Sequence, residues 1–109
     1  MANTFKNKVF NGANVVAASD MTVYTAPAST TTVVIGLTLA NTSTSQVTVD
    51  IKLNAGQVVF LAKDIPIPSA SSFEYMAGNK IVLEAGHSLI IQSDTANSVD
   101  TVASIMEIT

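Results

Sequence analysis

Apolar and polar residues alternate along most of the chain with a period of two, the spacing that places side chains on opposite faces of a β-strand. The clearest example is "VTVDIKL", residues 47–53, in which Val, Ile and Leu alternate with Thr, Asp and Lys. The segment "TVVIGLTLA", residues 32–40, predicts a second strand whose buried face carries Val33, Ile35, Leu37 and Leu39. The polar loop "NTSTSQ" between them suits a hairpin, so the two strands predict an antiparallel sheet with one buried side.

The rest of the chain continues as short strand-like runs separated by turn signals. Further strands are predicted at "MTVYTA", "QVVFLA", "SFEYM", "KIVLEA", "SLIIQS" and "DTVASIMEI", the last on its Val and Ile content rather than on a clean period. The prolines of "KDIPIPSASS" lack a backbone N–H, which indicates an edge strand or a connecting segment. Helix signals are weak, and "ANVVAASDM" predicts a helical turn or two at most. About eight or nine short strands with regularly spaced turns are typical of a β-sandwich or a small barrel.

We therefore predict an all-β fold: a single-domain antiparallel β-sandwich, jelly-roll-like, with an extended N-terminal arm. Residues 1–19 are assigned to the N-terminal arm or first strand, and residues 20–109 to the sandwich. An immunoglobulin-like sandwich is the second choice. It is disfavoured because the chain has neither the Trp nor the Cys pair that mark such domains. A length of 109 residues suits one domain with a core of its own.

Composition narrows the classes of partner. Charged residues make up only 12% of the chain, mean hydropathy is +0.42, and Ser and Thr supply most of the polar surface. The formal net charge is −3 and no residue is arginine, which argues against nucleic-acid binding. The apolar runs are too short to span a bilayer, and we expect no membrane association and no signal peptide. Such sparse charge indicates extensive contact with copies of itself or with other proteins.

Candidate catalytic chemistry centres on His87, the only histidine. Ser88 is adjacent and would point to the opposite face of a strand, and Asp94 lies too far along the chain to orient the imidazole. One His without Cys cannot build a typical zinc site. We expect no catalytic residue, no metal, no cofactor and no small-molecule substrate. The acidic residues are all expected at outward strand positions or turns, where water solvates them: Asp20, Asp50, Asp64, Glu74, Glu84, Asp94, Asp100 and Glu107.

The segment "LEAGHSL" predicts a turn in which Gly86 supplies a positive φ. His87 follows the glycine and is expected to face solvent and cap the turn through its side chain. A contact between subunits or a pH-responsive site remains the alternative for His87.

Four short motifs follow one another in a distinctive order: a Tyr-Thr-x-Pro-x-x-Thr opening, an Ala-Asn-Thr-Ser hairpin, a Lys-Asp-x-Pro-Ile-Pro link and a Leu-Glu-x-Gly turn. They lie at Tyr24–Thr30, Ala40–Ser43, Lys63–Pro68 and Leu83–Gly86. In this order, over residues 20–109, the chain resembles a group of small virion proteins of tailed bacteriophages, common in phages of marine cyanobacteria. The chain departs from that group at one position, because His87 stands where the group usually carries Asp.

The resemblance implies a β-sandwich protein of the virion, assembled in the host cytoplasm and without enzymatic activity. The first hypothesis is a capsid decoration (cement) protein, trimeric, that packs on the major capsid protein. A tail, baseplate or fibre-adaptor protein that binds a host surface is the alternative, and an enzyme is the least supported. We expect the N-terminal arm to reach a neighbouring subunit, and the predicted partner-contact residues are Phe5, Val9, Phe10 and His87.

Overall fold

The computed structural model describes residues 3–12, 19–75 and 80–109, and their regular structure consists of nine β-strands. The helical turn predicted around residues 13–21 and the turn at 77–79 fall largely outside these residues. The strands are β1 (Asn3–Phe10), β2 (Asp20–Thr25), β3 (Thr31–Asn41), β4 (Val47–Asn54), β5 (Val58–Ile67), β6 (Ser72–Glu74), β7 (Ile81–Leu83), β8 (Ser88–Ser93) and β9 (Val99–Ile108).

The strands form two antiparallel sheets. Sheet A has the order β1-β9-β3-β6, and β7 also pairs with β3; sheet B has the order β2-β8-β4-β5. Apart from the β4–β5 hairpin and the step from β6 to β7, consecutive strands always lie in different sheets. This alternation between two sheets is the jelly-roll arrangement. The prediction of an all-β antiparallel sandwich is confirmed.

The core lies between the two sheets. Sheet A contributes inward residues of β3, β7 and β9, and sheet B contributes inward residues of β2, β4, β5 and β8. The largest fully buried side chains are Leu37, Leu39, Ile51, Ile67, Leu83, Leu89, Ile91 and Ile105. Each such side chain stabilises the fold by about 1.5–3 kcal/mol relative to leaving it in water.

The predicted β3–β4 hairpin is wrong, because β3 belongs to sheet A and β4 to sheet B. Asn41, which is buried, holds the chain where it crosses between the sheets. Its Nδ2 donates to the carbonyls of Ser45 (2.9 Å), Ile67 (2.9 Å) and Pro68 (3.1 Å). Its Oδ1 accepts from the backbone N–H (2.9 Å) and the hydroxyl (2.7 Å) of Ser43. The polar loop therefore connects a strand of sheet A to a strand of sheet B and does not form a hairpin within one sheet.

The predicted buried face of β3 is wrong in its first half. The register against β9 shifts between Val34 and Gly36, so that Ile35 is an extra residue in a β-bulge. Val34 is consequently buried, while Val33 is only half-buried and Ile35 is exposed. Beyond the bulge the inward residues are Leu37 and Leu39, as predicted.

The proline-rich segment is confirmed as part of an edge strand. "KDIPI" continues the strand that begins at Val58, and β5 is the last strand of sheet B. The register against β4 shifts around Asp64, whose φ of 55° is positive and whose backbone N–H donates to Asp50 Oδ1 at 2.7 Å. A bulge and a proline on an edge strand both oppose pairing with a further strand.

Candidate interaction surface

A buried polar cluster joins both sheets near the N-terminal strand. The Tyr24 hydroxyl of β2 donates to Glu107 Oε2 of β9 at 2.6 Å and hydrogen-bonds Thr32 Oγ1 of β3 at 2.8 Å. Glu107 Oε1 lies 2.8 Å from the Lys6 ammonium of β1. Tyr24 turns inward because the register of β2 against β8 shifts at Val23. The Glu107 carboxylate thus connects β1, β2 and β9, and the Tyr24 hydroxyl adds β3.

The prediction that every acid is solvated is wrong for Glu107. This side chain takes an inward position on β9, in line with the buried Ala103 and Ile105. The hydrogen bonds from Lys6 and Tyr24 hold the pKa of the Glu107 carboxyl below its usual value. Burial and the bond to Glu107 raise the pKa of Tyr24 to about 12. The buried carboxylate is therefore charged and paired.

The turn predicted at Gly86 is confirmed, and it joins the two sheets. Gly86 has a φ of +87°, and the His87 N–H donates to the Glu84 carbonyl at 2.9 Å, as in a turn with glycine in its third position. His87 Nδ1 accepts from the Glu84 N–H at 3.3 Å, so the imidazole caps the turn. Two backbone hydrogen bonds between this turn and Ala26, both of 2.9 Å, fix it against the end of β2.

The residues considered for catalysis have other partners. The Ser88 hydroxyl hydrogen-bonds Thr25 Oγ1 at 2.9 Å, while Asp94 accepts from the Thr48 N–H at 3.0 Å at the opposite end of β8. Among the residues that the structure describes, no group of three or more His, Cys, Asp or Glu could hold a metal ion. No helix within the described ranges is long and apolar enough to cross a membrane.

The outer face of sheet A is the main candidate surface. Residues that pair directly across strands share a face, and one such row runs from β1 to β7: Phe5, Met106, Val33 and Val82. A second row joins Val9, Val102 and Thr38, and the bulged Ile35 is exposed between the rows. The row between them is Asn7, Ser104 and Gly36. Exposed charged residues border these rows: Asp100 on β9, Glu74 on β6 beside Thr38, and Lys80 and Glu84 on either side of β7.

The outer face of sheet B differs in kind. Its Lys52 ammonium donates to Asp20 Oδ1 at 2.7 Å and to Gln92 Oε1 at 2.8 Å, and Asp50 pairs with Gln92 in the register of β4 and β8. Charged and amide side chains therefore bind one another across this sheet. A hydrated, internally paired face of this type is suited to solvent, whereas the outer face of sheet A is not.

Three further exposed apolar residues lie at the end of the β4–β5 hairpin, with Val58 and Phe60 on the outer side of sheet B and Val59 on the opposite side of the strand. Val58, Val59 and Phe60 are consecutive and about half exposed (53%, 47% and 50%). Phe60 pairs with Lys52, and the ammonium groups of Lys52 and Lys63 lie 5.2 and 5.3 Å from the centre of its ring. We call these three residues the hairpin end.

The structure brings together two of the four predicted contact residues. Phe5 and Val9 lie on the outer face of sheet A and are the most exposed large apolar side chains described, at 71% and 66%. Phe10 points to the other side of β1 and packs against the core. His87 lies in the turn between the sheets. β1 pairs with β9 of its own chain, and the roles of these four residues in contacts between subunits stay predictions.

Sequence reasoning missed three members of this face: Ile35, Val82 and Val102. The signal for Val102 was present, because β9 alternates perfectly once its polar residues Thr101 and Glu107 are recognised as inward. No local signal marked Val82, whose neighbour Val33 comes from a strand far away in sequence.

No protein-family model matches the chain, and no curated protein matches it significantly. Among solved structures, the chain is similar to two crystal structures of a pentameric capsid protein isolated from metagenomic phage sequences. The TM-score is 0.43 for both, with sequence identities of 20% and 19%. Each match covers 92% of this chain but only 60% and 59% of the other, so this chain spans about 60% of the length of those proteins.

Proposed function

We propose that this chain is a structural protein of a bacteriophage virion, and that it acts as a capsid decoration protein without enzymatic activity. The observation that carries the proposal is the outer face of sheet A, where exposed apolar side chains extend across four strands and charged residues lie at the border. Depletion of charge at the centre of a surface distinguishes protein interfaces from ordinary surface. The ordered motifs of the sequence, which resemble small virion proteins of tailed phages, supply the biological setting.

A rigid sandwich suits this role for a physical reason. Binding costs free energy wherever flexible groups become ordered, and the apolar residues of this face already stand on paired strands. Most of the free energy of contact would then remain available to hold neighbouring capsid subunits together. A decoration protein of this type adds interface area to the shell and makes it harder to disrupt.

Labelling of intact particles tests the proposal. Antibodies against this chain should mark the head of the phage that encodes it, and particles that lack the chain should lose their genome at a lower temperature than complete particles. Labelling confined to the tail tip would overturn the decoration role in favour of a tail, baseplate or fibre-adaptor protein. Absence of the chain from purified particles would overturn the virion role altogether.

Matched variants connect the test to the surface. Val102→Asp places a charge at the centre of the outer face of sheet A and should reduce incorporation into particles at least tenfold. Thr44→Asp introduces the same charge on the exposed β3–β4 loop and should be incorporated like the unmodified chain. Equal incorporation of the two variants would show that this face is not the surface of contact.

A further inference from the structure

The exposed large apolar side chains of the described residues fall into two separate groups. Phe5, Val9, Ile35, Val82 and Val102 belong to the outer face of sheet A, and Val58, Val59 and Phe60 belong to the hairpin end. The first group lies on one sheet and the second at the edge of the other. Two different apolar surfaces on one small chain each require a cover.

We propose that each surface covers the other: the hairpin end of one copy packs on the outer face of sheet A of the next copy, and this head-to-tail contact closes into a ring. The inference rests on the proposed function in one respect. It takes the outer face of sheet A as a contact surface and names a second copy of this chain as the partner that covers it. A contact between two unlike surfaces is heterologous, and repetition of it produces a ring when the rotation closes.

Charge complementarity favours this pairing over contact between two identical faces. The exposed Lys63 and the partly exposed Lys52 flank Phe60 at the hairpin end, although Lys52 binds Asp20 and Lys63 lies 3.6 Å from Asp64. The outer face of sheet A is bordered by the acidic Asp100 and Glu74 along β9 and β6, and by the oppositely charged Lys80 and Glu84 beside β7. A face-to-face dimer would also leave the hairpin end exposed to water.

The outer face of sheet A is large enough for a specific contact. The eight residues of β1 extend about 27 Å, and four neighbouring strands span about 19 Å, which gives about 500 Å² in projection. Side chains that stand above the sheet raise the accessible area toward the roughly 800 Å² per partner of a standard interface. A shallow, open depression of about 320 Å³ beside β1 is lined by Phe5, Lys6, Asn7, Ile35, Ser104 and Ile105.

Mixing two variants, each with a different one of the two surfaces disrupted, tests the head-to-tail contact. Phe60→Asp destroys the hairpin end but keeps the face, and Val102→Asp destroys the face but keeps the hairpin end. The purified unmodified chain should form a ring of fixed size by light scattering and native mass spectrometry. Each variant alone should be monomeric, with affinity weakened at least tenfold, and an equimolar mixture should form a 1:1 dimer that grows no further.

Three results would overturn the proposal: an unmodified chain that stays monomeric or forms open filaments, a Phe60→Asp variant that assembles normally, or a mixture that remains monomeric. Val82→Asp serves as a second face variant if Val102→Asp does not fold, and Thr44→Asp is the control for added charge. The result is distinct from that for the proposed function. An unmodified chain that stays monomeric yet enters particles normally removes the ring but not the virion role, whereas a ring-forming chain absent from particles does the reverse.

Discussion

At the scale of single residues, the most informative side chain is Glu107, which breaks the rule that acids face water. It occupies an inward position because Lys6 and Tyr24 both donate to its carboxylate, at 2.8 and 2.6 Å. A buried carboxylate without such partners would be strongly unfavourable. The cluster therefore ties the attachment of β1 to the ionisation of one group.

This arrangement predicts how stability depends on pH. The folded-state pKa of Glu107 is lowered, so its contribution is complete above the ordinary value of 4.5 and is lost as pH falls through the folded-state pKa. Glu107→Gln should lower the free energy of unfolding by roughly 2 kcal/mol at neutral pH and should flatten the loss of stability in acid. Urea unfolding between neutral pH and pH 3 measures both effects.

Glu84→Gln is the matched control, since Glu84 is exposed and uses only its backbone atoms in the turn. If both variants lose stability in acid as steeply as the unmodified chain, Glu107 does not govern the acid transition.

At the scale of elements, the strands were predictable because their pattern is local. "VTVDIKL" alternates as expected in β4, and "DTVASIMEI" is a strand whose period was hidden by the polar inward residues Thr101 and Glu107. Which of the two sheets each strand joins was not predictable. A loop of the same composition can connect two strands of one sheet as a hairpin or two strands of different sheets as an arch. What decides is Asn41, whose amide binds carbonyls of Ile67 and Pro68 from a segment distant in sequence.

The membership of the outer face of sheet A was likewise only partly predictable from local sequence patterns. Phe5 and Val9 were expected to contact a partner because they had no place in the sandwich pattern. Their neighbours on the outer face, among them Val82 and Ile35, follow from strand order and from a bulge. Neither feature can be obtained from the spacing of apolar residues in one strand.

Asn41 provides the test at this scale. Asn41→Asp keeps the shape of the side chain but replaces the donating amide by an oxygen that faces the carbonyls of Ser45, Ile67 and Pro68. The free energy of unfolding should fall by roughly 3 kcal/mol, because buried acceptors lose their donor and a charge is added. Thermal and urea unfolding measure the loss. Thr44→Asp in the same loop should change stability little, and an equal loss in the two variants would contradict the structural role of Asn41.

At the scale of the whole molecule, the two outer faces differ in the side chains that they present. Sheet B carries paired polar groups such as Lys52, Asp20 and Gln92 on most of its outer face, while the centre of the outer face of sheet A is apolar or small and neutral. The proposed contact accounts for the sparse charge of the chain, because it would remove the outer face of sheet A from water.

The strand β1 links this division to assembly. Seven of its eight residues are exposed and only Phe10 is half-buried, so the strand adds little to the core while it supplies Phe5 and Val9 to the outer face. Deletion of residues 1–10 should therefore leave the sandwich folded, with the free energy of unfolding lowered by about 1–3 kcal/mol through the lost hydrogen bonds and ion pair. The same deletion should abolish association between copies.

Circular dichroism, urea unfolding and light scattering on the shortened chain distinguish these effects. The double variant Phe5→Ser with Val9→Ser keeps the strand and its Lys6–Glu107 ion pair but removes the apolar side chains. It should retain nearly full stability and still fail to assemble, because the partner contacts the side chains rather than the backbone of β1. Unfolding of the shortened chain would show that β1 belongs to the core of the sandwich. Normal assembly of the double variant would instead assign the contact to the central strands of sheet A, around Val102 and Val82.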